Sequence, residues 1–521
     1  MGVKYLDETM APAPGSGSAD SAGASSEIMR TLWTDRRWSL TAVISLALVL
    51  GLGSAWLTPR GPIGSGEALW TMGAGAFVGI AAGLLMGNRW PMLIVPIAFI
   101  AVFETARLDM IGPTVDSIHL DSIYGIIAFV LGRVMHGVFL FAPVALGTIV
   151  GVALAGAMGN TTARSPGTLG WTITVVFSAA LAVLAFAIAR PASTAPILGT
   201  ESPARSIAEL TTLPIGGHQQ AMMIRGRDIE NPVLLYLTGG PGGTDIGAMR
   251  GDVGLEEHFV AATWEQRGAG KSYGALDPTD TFTLSQMVSD TLEVTEYLRE
   301  RFDEDKIFLV GQSWGSTLGA LAVAQRPDLF HAFIGVGQMV SQRETDIMFW
   351  EDALAWSEST GRNEVADTLR RNGPPPYDDV NDYAPVVSYE HDWNAYPEFD
   401  ATNEMPAILF VPEYTLMDRI NAFRGFLDTN ATLYPQLQGI DFREDLPNLE
   451  VPYYMVLGEH EARGRDVLAR EWFEQLEAPF KELIEFGGAG HRAHFDRPGL
   501  FAEVMARVLD GSGAEAGSAE E

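Results

Sequence analysis

The 521-residue chain contains no cysteine. Disulfides, thiolate metal sites and a cysteine nucleophile are therefore excluded. Lysine is scarce as well, at four residues. The shortage of positive charge is local. Residues 1–190 hold ten acidic and ten basic residues and are neutral. The whole formal charge of −31 therefore falls on 191–521, where 55 acids face 24 basic residues. A domain that acidic repels polyanions, which sets nucleic acid aside as a partner. It suits a soluble, salt-tolerant surface.

The first 190 residues lack charge over long stretches. The segment WSLTAVISLALVLGLGSAWL, 38–57, carries none, and about 20 such residues cross a bilayer. Segments 67–88, 91–106 and 170–189 follow. The stretch 122–158 includes Arg133 and His136. It reads as a short interfacial or tilted piece leading into a span at 138–158, with two short spans as the alternative. The pattern predicts an all-α transmembrane domain over 36–190 with about five spans, after an Ala-, Gly-, Ser- and Pro-rich tail at 1–35. A signal peptide is disfavoured, because its lead would be 37 residues and more spans follow.

Arg30, Arg36, Arg37, Arg89 and Arg164 mark cytoplasmic loops, and the loop ARLDMIGPTVDSIHLDS is net acidic. Five spans then place everything after Arg190 outside the cytoplasm of an integral, multi-pass membrane protein; six would reverse this. Gly75, Gly79 and Gly83, and Gly147 and Gly151, recur every four residues and predict close helix contact. Ionisable residues such as Glu104, Arg107, Arg133 and His136 fall near span ends. That favours a packed anchor in the lipid bilayer over a transport path.

Beyond a linker at 191–205 the rhythm changes. Strand patterns at 207–213, 218–225, 232–237, 259–264, 306–310, 331–336, 452–457 and 481–486 alternate with helical patterns at 284–302, 315–325, 464–477 and 498–509. Apolar strands separated by helices predict a mostly parallel sheet covered on both faces. Its core would be 206–340 and 451–510, with 341–450 inserted as a helical cap and 511–521 as a tail.

The strand at 306–310 runs into Gly311-Gln312-Ser313-Trp314-Gly315 and then a helix. G-x-S-x-G in that context is a nucleophile elbow, a turn so tight that the residues two positions either side of the serine must be small, hence Gly311 and Gly315. The glycine-rich run TGGPGG, 238–243, follows strand 232–237 and can offer an amide to an oxyanion together with the amide of Trp314. A phosphate-binding loop is the rival, but no Gly-Lys-Ser/Thr follows. Strand 452–457 ends in Gly458-Glu459-His460-Glu461, with Asp466 close behind as a helix-start acid. His491 follows strand 481–486 in FGGAGHRAHFDRP, and His494 reads as a rim residue. The order serine, acid, histidine suits a triad in which histidine takes the serine proton and the acid fixes its tautomer.

At these residues the chain resembles an α/β hydrolase of the prolyl aminopeptidase (proline iminopeptidase) family. That family shows a His-Gly-Gly-Pro-Gly loop, an Asp-Gln-Arg-Gly-x-Gly-x-Ser segment and Gly-Gly-Ser-Trp-Gly-Ser at the nucleophile. The counterparts are TGGPGG, WEQRGAGKS at 264–272 and GQSWGS at 311–316. The resemblance covers roughly 205–508. It implies the α/β hydrolase fold, Ser313 as nucleophile, His491 as base and Glu461, three residues after Gly458, as acid. Gly239 or Gly240 would supply the oxyanion amide beside Trp314. Thr238, Glu265 and Gln312 depart from the family's His, Asp and Gly. The cap glutamates that would hold a substrate's amino group have no clear counterpart, and Glu351, Asp352 and Glu413 are the candidates.

The expectation is a membrane-anchored serine hydrolase, peptidase-like, acting on small-molecule or short-peptide substrates without metal or organic cofactor. A carboxylesterase or lipase is the alternative, since one triad serves both. A membrane sensor or transport component with a binding-only hydrolase domain is the reading from another class. An epoxide hydrolase or dehalogenase would place aspartate where Ser313 stands.

Overall fold

A helix satisfies its own backbone N–H and C=O groups, which is what a charge-free segment needs in a packed or lipid setting. The computed structural model describes residues 30–116, 118–198, 205–251, 253–401 and 408–512. Most of the expected N-terminal tail (1–29), part of the linker (199–204) and the last residues (513–521) lie outside the described residues.

The long apolar runs form α1 (Arg36–Leu57), α2 (Ser65–Met86), α3 (Pro91–Ala106), α4 (Ile123–Phe129), α5 (Met135–Ala157) and α6 (Thr168–Ala189). A π turn, Val130–Val134, joins α4 and α5 into one 35-residue helix. The stretch at 122–158 therefore holds a single helical run and not two short ones. Four helices are long and apolar enough to cross a membrane: α1, α2, the joined α4–α5 and α6. The five-span expectation counted α3 as well. Its 16 residues reach about 24 Å at 1.5 Å per residue, short of an ordinary hydrocarbon core of about 30 Å.

The chain divides into two compact units. The first comprises residues up to Leu57, Trp70–Arg107 and Gly137–Leu184. Within it the glycine spacing brings backbones together. A Cβ on Gly79 would lie 2.2 Å from the carbonyl oxygen of Val144, and one on Gly151 2.1 Å from that of Ile80. Only a residue without a side chain fits such a crossing of α2 and α5.

The second unit is not simply the chain after 190. It contains Thr58–Leu69, Leu108–His136 and everything from Ala185 onward. Its centre is an eight-stranded sheet in the order β1-β2-β4-β3-β5-β6-β7-β8. The strands are β1 (Ile207–Ile215), β2 (His218–Gly226), β3 (Val233–Leu237), β4 (Val260–Trp264), β5 (Ile307–Gln312), β6 (Phe330–Val336), β7 (Tyr453–Gly458) and β8 (Lys481–Phe486). The β1–β2 and β2–β4 pairs are antiparallel, and the rest are parallel. β3, β4 and β5 are buried at every residue, because apolar clusters cover both faces.

Helices α7 (Leu284–Phe302) and α8 (Trp314–Gln325) flank β5 in sequence. Thr283 caps α7 by accepting from the Gln286 amide at 3.2 Å, and Met287, Thr291, Val294 and Leu298 form its buried stripe. The insertion after β6 is helical, as expected of a cap. Its main pieces are α9 (Gln342–Ser359), α10 (Asn363–Asn372), α11 (Glu390–Trp393) and α12 (Leu416–Leu437). A reciprocal Thr415–Asp418 capping box starts α12. The chain then returns through β7, α13 (Arg463–Gln475), β8 and α14 (Pro498–Ser512).

Two stripes of α12 do different work. Asn421, Arg424 and Asp428 hold the segments 58–69 and 108–136. The Asn421 amide donates to the Ile63 carbonyl at 2.7 Å, and the Arg424 guanidinium donates to the carbonyls of Pro62 at 2.8 Å and Leu131 at 2.6 Å. Asp428 accepts from the Thr114 hydroxyl and the Tyr273 hydroxyl, each at 2.6 Å. Arg60 reaches Asp428 at 3.3 Å and Asp277 at 2.8 Å. The start of the linker is also tied down: Arg225 donates to the Thr194 hydroxyl at 2.8 Å and the Ala195 carbonyl at 2.7 Å. On the other stripe, Phe426, Asn430 and Tyr434 face a cavity.

Candidate active site

β5 delivers Ser313 at its end with φ 52° and ψ −121°, one of two non-glycine residues of positive φ among those described. Such a conformation costs about 1–3 kcal/mol and persists only when its surroundings enforce it. They do. A Cβ on Gly311 would fall 2.2 Å from the Gly315 carbonyl oxygen, and one on Gly315 2.1 Å from that of Leu237. The Ser313 amide donates to the Val336 carbonyl at 2.9 Å. The Ser316 hydroxyl donates to the Ser313 carbonyl at 2.5 Å and accepts from the Met339 amide at 3.0 Å. The elbow is thereby locked to β3 and β6. As the first residue of α8, Trp314 has an amide with no acceptor within its helix.

Ser313 lines a cavity of about 230 Å³ together with Gly239, Gly240, Trp314 and His491. All three oxyanion candidates thus share one cavity with the serine and the histidine. Gln266 ties two of these parts together. It accepts from the Trp314 indole at 2.8 Å and donates to the Thr238 carbonyl at 3.0 Å. Its place in the WEQRG segment was the only sequence signal for this role.

His491 Nδ1 lies 2.7 Å from Glu461 Oε2. Glu461 is fully buried, and its Oε1 accepts from Arg465 Nε at 2.7 Å and from the Ala462 amide at 2.9 Å. Burial pushes the carboxyl up, but Arg465 and then His491 outweigh it and hold the pKa at about 2. Glu461 therefore stays ionised across the working range, a carboxylate facing the His491 imidazole. Asp466 stands apart, in the first turn of α13, paired with Arg470 at 2.8 Å.

Other expectations are corrected. Glu351 and Asp352 do not line the cavity; both pair with Arg463 at 2.9 Å on the outside of α9. Glu351 lies on the face of α9 turned away from its buried Thr345, Phe349 and Ala353, and Asp352 sits part-exposed at the edge of that buried stripe. Glu413 is fully buried but elsewhere, bound to Arg250 at 3.1 Å. His494 is no rim residue. It is buried among Tyr236, Phe495 and Phe501, with Nε2 at 3.0 Å from the Tyr236 hydroxyl.

The acids that do line the cavity are Asp245, Asp346 and Glu390. Asp245 is engaged by Arg492 at 2.6 Å and by the Tyr236 hydroxyl at 2.9 Å. Glu390 is paired with Arg465. Asp346 has neutral hydrogen-bond partners: Tyr434 at 2.6 Å, Gln342 at 2.9 Å and Gln438 at 3.0 Å. Burial raises its pKa to about 6 against those hydrogen bonds and the field of Arg465. Nothing in QRETDIMFW distinguishes this aspartate from its neighbours; only the fold of α9 against α12 does. Among the described residues no group of three or more His, Asp or Glu is arranged to hold a metal ion.

The Alpha/beta hydrolase family matches residues 250–504. The chain is 30% identical over 307 residues to "Probable aminopeptidase YbaC" of Bacillus subtilis, covering 58% of this chain and 96% of the relative. It is 32% identical over 128 residues to "Probable proline iminopeptidase" of Leptolyngbya boryana, 24% of this chain and 36% of that protein. Among solved structures, a proline iminopeptidase of Mycobacterium smegmatis aligns at 18% identity over 58% of this chain and 98% of its own, with a TM-score of 0.43. With the Bacillus relative matched over nearly its full length, the chain belongs to the α/β hydrolase family, among homologues of aminopeptidases and proline iminopeptidases.

Proposed function

We propose that the protein is a membrane-anchored serine hydrolase in which Ser313 attacks, His491 carries the proton and Glu461 orients the histidine. The observation that supports this most is the 2.7 Å His491–Glu461 contact in the same cavity as a serine held at φ 52°. In this reading the serine proton passes to His491 Nε2 as the oxygen bonds to the substrate carbonyl. The resulting oxyanion is held by amides at Gly239 or Gly240 and at Trp314, and the protonated histidine then supplies the proton to the leaving group. The acyl-enzyme is cleared by water in the same two moves.

The relatives' names and the acidic cavity favour a peptidase acting on small substrates with a free amino group. A cavity of about 230 Å³ beneath a cap admits one or two residues more readily than a protein chain. Asp346, with no cationic partner in hydrogen-bond range, is the acid available to an ammonium group. Proline arylamide should be cleaved faster than its N-acetylated form and faster than a short-chain acyl ester. Quicker turnover of the ester, indifferent to the amine, would overturn the peptidase and leave an esterase.

The Asp346 pKa of about 6 sets a pH signature. Its carboxylate is charged above that value and neutral below it. The KM for proline arylamide should therefore rise roughly tenfold for each unit below about 6, while a neutral ester shows no such rise. Asp346→Asn should remove the difference.

The lipid bilayer is the proposed setting of the apolar helices; with the shorter α3 as a fifth crossing beside the four long helices the hydrolase unit lies outside the cytoplasm, and four crossings would leave it inside. Protease added to intact cells should remove the unit; protection until the membrane is opened would place it inside.

A further inference from the structure

We propose that residues 390–398 of the cap form a strap that sets the charge and orientation of the acid–base pair, acting through Arg465 as a positioning residue. The inference rests on Ser313, His491 and Glu461 being the triad.

Arg465 bridges two carboxylates. Its Nε is bound to Glu461 at 2.7 Å, and its other arm is bound to Glu390 at the start of α11. The guanidinium lies over the Phe349 ring at 4.6 Å, and Trp393 packs on the same ring at 5.0 Å. Four residues later the strap clamps the catalytic loops. Asn394 donates to the His460 carbonyl at 3.0 Å, next door to Glu461. Tyr396 stacks on the His460 ring at 5.0 Å, and Glu398 lies 3.4 Å from His460 Nε2. The His460 amide donates to the Ala489 carbonyl at 2.9 Å, which links the acid loop to the base loop. A Cβ on Gly490 would meet the Tyr396 hydroxyl at 2.3 Å, so the strap also lies directly against the residue before His491.

The four groups Glu390, Arg465, Glu461 and His491 form a chain of alternating charge. With neutral imidazole its sum is −1, and with imidazolium it is zero. Removing the Glu390 charge leaves the Arg465 field less compensated and disfavours imidazolium. Removing the Arg465 charge does the reverse, and it frees buried Glu461 to take up a proton within the working range. The other charged groups facing this chain are Asp346 from α9, the Arg492–Asp245 pair beside His491, buried His494 and the Glu398–His460 pair. Of these, Asp346 feels the field of Arg465, and loss of Arg465 pushes its carboxyl further up.

The two changes thus move the base in opposite directions, which a loss of packing would not do. The test is the rate of fluorophosphonate labelling of the full chain against pH, read for wild type, Glu390→Gln and Arg465→Met, with thermal unfolding of each. The acid limb should fall by about half a unit or more in Glu390→Gln and rise by at least as much in Arg465→Met. Limbs that stay put, or that move the same way, would overturn the strap. Should Arg465→Met not fold, a downward shift in Glu390→Gln and its absence in Glu390→Asp carry the test. Absence of labelling in the wild type would strike the triad itself and is thereby separable from failure of the strap.

Discussion

Replacing Ser313 with alanine is expected to abolish fluorophosphonate labelling and to lower turnover by about a thousandfold or more, with thermal unfolding nearly unchanged. Alanine removes one oxygen and keeps the backbone that Gly311, Gly315 and Ser316 enforce. The strain at φ 52° is present in both forms, so stability has little reason to move. The oxyanion amides and the His491–Glu461 pair remain, which leaves only the residual rate such groups sustain without a nucleophile. Glu461→Gln should also cost orders of magnitude, because the amide can present its N–H to His491 and invert the tautomer. Asp466→Asn should be close to wild type, since among the described residues its charged partner is Arg470 on its own helix. Full labelling of Ser313→Ala, or a dead Asp466→Asn beside an active Glu461→Gln, would contradict the assignment.

The second large effect concerns Arg60. Its substitution by methionine is expected to destabilise the hydrolase unit by about 3–5 kcal/mol, the usual cost of stranding one partner of a buried ion pair. Arg60 is 3% exposed, and Asp428 is fully buried. Tyr273 and Thr114 still donate to Asp428 without Arg60, but neither carries a compensating charge. A chain beginning at Pro191 loses more, because the carbonyls of Ile63, Pro62 and Leu131 that α12 uses are gone with it. Such a chain should show a lower unfolding temperature and rapid proteolysis of the cap. A truncated chain with the unfolding temperature of the full one would show that these segments are passengers.

Much of this site was legible beforehand, for a physical reason. The elbow, the glycine-rich loop and the strand-end acid are local devices, and their chemistry is written in adjacent residues: Gly311 and Gly315 around Ser313, Gly458 ahead of Glu461. All eight strand positions were legible too, since apolar runs of five or six residues between turn signals have few other uses. What failed were choices among residues of one type in a domain full of acids. Glu351 and Asp352 look no different from Asp346 in sequence, because which side of α9 faces the cavity is decided by its packing against α12 and α13. Arg465 was missed although it sits four residues after Glu461, a spacing that places both within reach of each other. His494 was misjudged because a histidine buried by Phe495 and Phe501 has the same local sequence as one on a rim. The boundary at residue 190 was wrong in kind: a chain read from end to end does not reveal that segments 58–69 and 108–136 belong with a partner helix hundreds of residues later.

That distance bears on how the protein comes into being. Arg60 and Asp428 are 368 residues apart in sequence. During synthesis the segment with Arg60 emerges first and has no counterpart until α12 is made. Loop closure over such a span is entropically expensive, and contacts of this range slow folding. The sheet, whose strands are neighbours or near neighbours in sequence from β3 to β6, has no such wait. The route of the chain therefore lets β3 to β6 pair early, while the two older segments wait for α12, and β7 and β8 follow later still. Because the same helix lines the cavity through Phe426, Asn430 and Tyr434, and Arg465 and His491 come later in the chain, the cavity takes its final shape only after α12 has docked and β7 and β8 have joined the sheet. A newly made chain should accordingly acquire its secondary structure well before it acquires reactivity toward fluorophosphonate.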